Sequence, residues 1–131
     1  MTAVGRALLG WMPAILWGAV IFALSAQPTL PNPASVGDKQ AHAFAYGLLA
    51  LLCLMALAGW RWRRIASASL LGAFVIAVLY GVSDEFHQSF VPGRSPDVAD
   101  VAADAMGAAL ALTCAWGWAI LLGRRSSTPR P

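Results

Sequence analysis

The chain has 131 residues, a net charge of +3, 59% hydrophobic residues and only 11% charged ones. Soluble domains carry about 25% charged residues, so this composition argues against a water-soluble domain and for one compact membrane unit, residues 1–131. The basic residues form no stripe but flank apolar runs, which excludes a nucleic-acid partner.

The first apolar run, residues 7–26, contains no charge and is long enough to cross a bilayer core of about 30 Å. Arg6 and the small residues before Gln27 would also suit a cleaved signal peptide. The near-full spanning length favours a retained span. Pro28, Pro31 and Pro33 then prevent any helix from continuing.

The second run, residues 41–60, carries His42 near its start. Arg61, Trp62, Arg63 and Arg64 follow as a basic turn of the kind found at a membrane–water boundary. The third run, residues 65–83, has no formal charge. Residues 84–97 hold Pro92-Gly93, a turn signal, and Pro96. The fourth run, residues 101–123, has Asp104 in its first turn. Cys53 and Cys114 lie inside apolar runs and read as small packing residues, with no disulfide or metal spacing. The expected fold is all-α: an integral membrane four-helix bundle.

With four spans, Arg6, Arg61, Arg63, Arg64, Arg124, Arg125 and Arg130 share one side, and only Lys39 and Arg94 lie on the other. The positive-inside rule then makes both termini cytoplasmic, in a cell's inner or plasma membrane. All six acids (Asp38, Asp84, Glu85, Asp97, Asp100 and Asp104) fall in or beside the two outer connections. Acids contribute little to orientation, so this clustering needs a different cause.

Four polar elements build the expected site. Asp38, His42 and Tyr46 are spaced i, i+4, i+8 and share a helix face. Asp38 suits an N-cap, Lys39 headgroup contact and Tyr46 interfacial anchoring. An imidazole inside a span points instead to a bundle interior or cavity. Glu85 and Gln88 form an i, i+3 pair where acids oppose the helix dipole and so require a partner. Arg94, beside the Pro92-Gly93 turn, presents a fork suited to phosphate or carboxylate; an internal ion pair with a nearby acid is the slightly favoured alternative. Asp97, Asp100 and Asp104 fall on one face of the fourth helix, with Asp104 about 6 Å deeper than Asp100. Ala103, Gly107, Ala111 and Ala115, at a spacing of four, mark the side where that helix touches a neighbour.

Taken in order, Asp38-Lys39…His42…Tyr46, Glu85-x-x-Gln88, Pro-Gly-Arg94 and Asp97…Asp100…Gly107 resemble the VanZ-like family. The resemblance covers residues 38–107. It implies a small polytopic membrane protein with an extracytoplasmic polar site built from these positions, and a glycopeptide-resistance type of role, since the family's namesake is associated with teicoplanin resistance. Members of that family often carry Asn where this chain has Asp104, so relative to the pattern it resembles, this chain adds a titratable group there.

The expected ligand-binding set is therefore Asp38, Lys39, His42, Tyr46, Glu85, Gln88, Arg94, Asp97, Asp100 and Asp104. The leading reading is binding of an anionic envelope lipid or glycan, with membrane lipids as the other partners. A membrane enzyme using His42, Glu85 or Asp100 on a lipid-linked substrate, a small transporter and a purely structural protein are the alternatives. No catalytic residue, cofactor or metal is assigned. A metal held by His42, Glu85 and carboxylates is chemically open.

Overall fold

The computed structural model describes residues 2–28 and 37–125, side chains of 3, 4, 6, 124 and 125 excepted. Pro31, Pro33 and Arg130 lie outside the described residues. The chain forms α1 (Ala3–Ser25), α2 (Asp38–Leu57), α3 (Ser67–Gln88) and α4 (Val98–Arg125), with a short 3-10 turn at Trp62–Arg64. There is no strand among the described residues. Each α-helix contains a stretch long and apolar enough to cross a membrane: Ala7–Ser25, Asp38–Leu57, Ser67–Gln88 and Val98–Gly123.

The helices reach further into the polar connections than the apolar runs do. α2 begins at Asp38 rather than 41, α3 continues to Gln88 rather than stopping at 83, and α4 begins at Val98 rather than 101. The polar side chains added this way largely find partners on neighbouring helices, so their cost inside a helix is offset. Gly37, not Asp38, is the N-cap of α2; its N–H is accepted by Gln40 Oε1 at 2.8 Å. Asp38 instead occupies the first turn, where a carboxylate still favours the positive helix end. α2 stops at Leu57 because Gly59 and Trp60 both adopt positive φ, 60° and 59°. A tryptophan in that region is strained. Its indole Nε1 donates to Gly10 O at 2.8 Å, which holds the turn against α1.

α2 is the central helix and packs most extensively on α4. Gly107 of α4 lies directly on the Ala43 backbone, and a Cβ there would collide with the Ala43 carbonyl. Gly47 returns the contact, its Cβ position 3.0 Å from Gly107 O. The small-residue stripe of α4 therefore marks the α2 interface. Tyr46, Leu49, Ala50, Cys53, Leu54, Ala73, Ala77, Ala108, Leu112 and Ala115 fill the core behind it. Outside, Leu8, Ile15, Phe44, Leu79, Phe86, Met106 and Leu110 are exposed, a coat that suits hydrocarbon and not water. Trp60, Trp62, Trp116 and Trp118 are exposed at the basic end of the bundle, forming an aromatic belt.

Candidate functional site

All six acids gather at the opposite end, where α1 and α3 finish and α2 and α4 begin. Two hydrogen-bonded groups organise all of them except Asp38. The first joins α2 to the start of α4. Lys39 Nζ donates to Asp97 Oδ2 and to Asp100 Oδ1, each at 2.9 Å. One turn further in, His42 Nδ1 lies 3.0 Å from Asp104 Oδ1. Residues 39 and 42 on one helix thus meet 97, 100 and 104 on the other, because i, i+3 and i, i+4 positions share a face on each. Asp104 is 1% exposed, so His42 leans on a carboxylate with almost no access to water. Asp97 is exposed and lies just ahead of α4, where its Oδ1 accepts the Ala99 N–H at 2.8 Å. The Lys39 ammonium, then that N–H, hold its carboxyl below the usual aspartate range.

The second group joins α1, α3 and the turn after it. Ser25 Oγ donates to Asp84 Oδ1 at 2.5 Å, and Gln88 Nε2 donates to Asp84 Oδ2 at 3.0 Å. Gln88 Oε1 accepts from Arg94 Nε at 3.1 Å and Nη2 at 2.7 Å. The Gln88 amide can serve both neighbours only in this orientation. Glu85 Oε2 accepts the Asp97 N–H at 2.8 Å and so couples this group to the first.

Tyr46 lies between the groups. It is 1% exposed, with its ring 6.2 Å from that of His42. Its hydroxyl is beside Asp84 but outside hydrogen-bonding geometry, and it has no partner among the described residues. The same holds for two buried carboxylate oxygens, Glu85 Oε1 and Asp104 Oδ2. A cavity of about 520 Å³ opens beside these residues. Its accessible lining is almost all apolar, with walls formed by Val20, Ile21 and Leu24 of α1 and Phe44 of α2, and Asp38, His42, Tyr46, Asp84, Gln88 and Arg94 border it. A site that joins an apolar wall to a few polar groups suits an amphiphile. One ligand atom each from Asp38, His42 and Asp100 also falls within 4.8 Å of the others, a grouping compatible with a cation.

The structure brings all ten sequence-predicted residues to one mouth, with three corrections. Arg94 forms no ion pair among the described residues and is held by the neutral Gln88 amide. Tyr46 is a core residue and not an interfacial anchor, because the α2–α3 interface closes over it. α1, whose uncharged span suggests a role as scaffold alone, also supplies Ser25 to Asp84 and a wall of the cavity. Asp84 and Ser25 are the residues that sequence reasoning left out. The i, i+4 spacing of Asp84 and Gln88 marked the first, whereas nothing in the apolar run singled out the second.

The sequence profile of the VanZ/LLP1 family matches residues 10–122. The chain belongs to the VanZ/LLP1 family. No curated protein and no solved structure matches it. In this VanZ/LLP1 protein the matched region takes in most of α1, all of α2 and α3, and every residue of the polar mouth. Family membership and four spanning helices make the chain a multi-pass membrane protein.

Proposed function

We propose that this VanZ/LLP1 protein binds an anionic lipid or glycan component of the cell envelope at its polar mouth, on the extracytoplasmic side. One observation carries the reading: Arg94 lines an apolar-walled cavity, yet no carboxylate among the described residues neutralises it. A guanidinium fixed by a neutral amide keeps its charge available to an incoming phosphate or carboxylate. The apolar walls on α1 and α2 accept the ligand's hydrocarbon part. The sidedness rests on the distribution of Lys and Arg between the two ends.

The test is binding of full-length protein in nanodiscs or detergent to phosphatidylglycerol against phosphatidylcholine, for wild type and Arg94→Gln. The reading expects preference for the anionic lipid and a loss of roughly tenfold or more in Arg94→Gln, the order expected for a charged hydrogen bond of about 1.5–3 kcal/mol. Equal affinity of both proteins for both lipids would sink it.

A second reading is favoured by His42. Its imidazole lines the cavity and is backed by the buried Asp104 carboxylate, as a general base and its orienting group would be. This would make the protein an enzyme on a lipid-linked substrate. Turnover of such a substrate, lost in His42→Gln, is the measurement that separates catalysis from binding alone.

A further inference from the structure

We propose that Asp38, His42 and Asp100 form a binding site for a first-row divalent cation, of which Mn²⁺ and Zn²⁺ fit the donor set. This goes beyond the anionic-ligand reading and does not depend on it. Asp38 and His42 stand one turn apart on α2, and Asp100 faces them from α4. One donor atom from each lies within 4.8 Å of the other two. Such ions hold nitrogen and carboxylate oxygen at about 2.0–2.2 Å, so the three donors need only small side-chain rotations to close on one centre. One imidazole with two carboxylates suits a borderline ion better than Mg²⁺ or Ca²⁺, which favour oxygen throughout.

Three further observations point to a ligand there. The first is the state of His42. Asp104 Oδ1 sits 3.0 Å from Nδ1, which fixes the ring and leaves Nε2 as the free donor. A buried carboxylate behind a histidine is the usual support of a metal-binding imidazole. The second is Glu85, which is 6% exposed and whose Oε2 accepts the Asp97 N–H, three residues before Asp100. Its Oε1 has no partner among the described residues, although a buried carboxylate oxygen left unpaired costs about 1–3 kcal/mol or more. Water held by a cation would supply the missing donor. The third is charge. Six carboxylates share this mouth with Lys39 and Arg94 as its only Lys or Arg residues, and Lys39 already serves Asp97 and Asp100. Lys39 contacts one oxygen of Asp100 and leaves the second for the ion. Asp38 is exposed, so the ion has an entry path.

The experiment is an electron-paramagnetic-resonance titration of Mn²⁺ into the full-length protein in detergent, with Zn²⁺ as competitor. The expected result is one saturable Mn²⁺ per chain, displaced by Zn²⁺. Asp38→Asn and Asp100→Asn each weaken it by roughly tenfold or more. Asp38 is exposed and its side chain makes no hydrogen bond among the described residues, so Asp38→Asn keeps the result readable even if Asp100→Asn unfolds. Arg94→Gln leaves the affinity unchanged, which separates this site from the anionic-ligand reading. Absence of any saturable Mn²⁺ or Zn²⁺ site in the wild type, or binding that survives Asp38→Asn at full strength, overturns the proposal.

Discussion

Asp104 and Gly81 share a space too small for one more carbon. Asp104 turns Oδ1 to His42 across the α2–α4 interface, while Oδ2 packs against α3, where a Cβ on Gly81 would stand 2.7 Å from it. The glycine is what lets a buried carboxylate reach the histidine. Gly81→Ala should therefore displace Asp104 and destabilise the protein by about 1–3 kcal/mol, the range for overpacking. Thermal unfolding in detergent reads the loss. An unchanged midpoint would show that Asp104 is not confined there.

The α2–α4 crossing gives a paired test. Gly107→Ala places a methyl group on the Ala43 backbone, which cannot move aside as a flexible side chain could. A loss of at least about 1–3 kcal/mol is expected. Gly117→Ala on the same helix meets nothing within 4 Å and gains helix propensity of roughly 0.8–1 kcal/mol. Opposite signs in one helix are the outcome to look for in the same unfolding assay.

Removing the Ser25 hydroxyl leaves Asp84 buried with Gln88 as its one donor among the described residues. Ser25→Ala should cost about 1–3 kcal/mol, and Ser25→Thr, which restores a hydroxyl, should recover part of it. Equal stability of all three proteins would mean that the Ser25–Asp84 hydrogen bond carries no weight.

Asp97 sets a pH dependence with a definite sign. Its carboxyl is held below the usual aspartate range, so it binds protons more weakly folded than unfolded. Its contribution is complete above the ordinary aspartate pKa of about 3.9 and fades as pH falls through the lowered folded value. The difference in melting temperature between wild type and Asp97→Asn should be small, as for any exposed pair. It should stay level from pH 7 to 5 and shrink only below about pH 4. A difference that disappears between pH 6 and 5 would contradict the assignment.

The four spans were legible because hydrocarbon imposes a length and an apolar composition that few other environments impose. The face of α4 that meets a neighbour was legible from Gly107 and its small-residue stripe, but not that the neighbour is α2. What sequence could not reveal was which polar group answers which. Arg94 meets Gln88 and not a carboxylate, because the Pro92-Gly93 turn, with Gly93 at φ 82°, brings it back to the end of its own preceding helix. Ser25 was hidden for a simpler reason: a single serine ending an apolar run carries no periodic signal, and its role is fixed by a contact to a residue 59 positions away.

The manner in which α1 is held has an evolutionary consequence. Trp60 Nε1 donates to Gly10 O and Tyr80 OH donates to Gly18 O at 2.7 Å, so two of its ties end on main-chain oxygens. Side chains added at Gly10 or Gly18 would meet those rings at 3.5–3.7 Å, ordinary contact distance. Substitutions at Gly10 and Gly18 can therefore accumulate without breaking these two ties, unlike changes at Trp17 and Ser25, whose own side chains reach Ala45 O and Asp84. Constraint falls instead on the donors, Trp60 and Tyr80. Among relatives, positions 10 and 18 of the first helix should drift in sequence faster than the two residues that grip them.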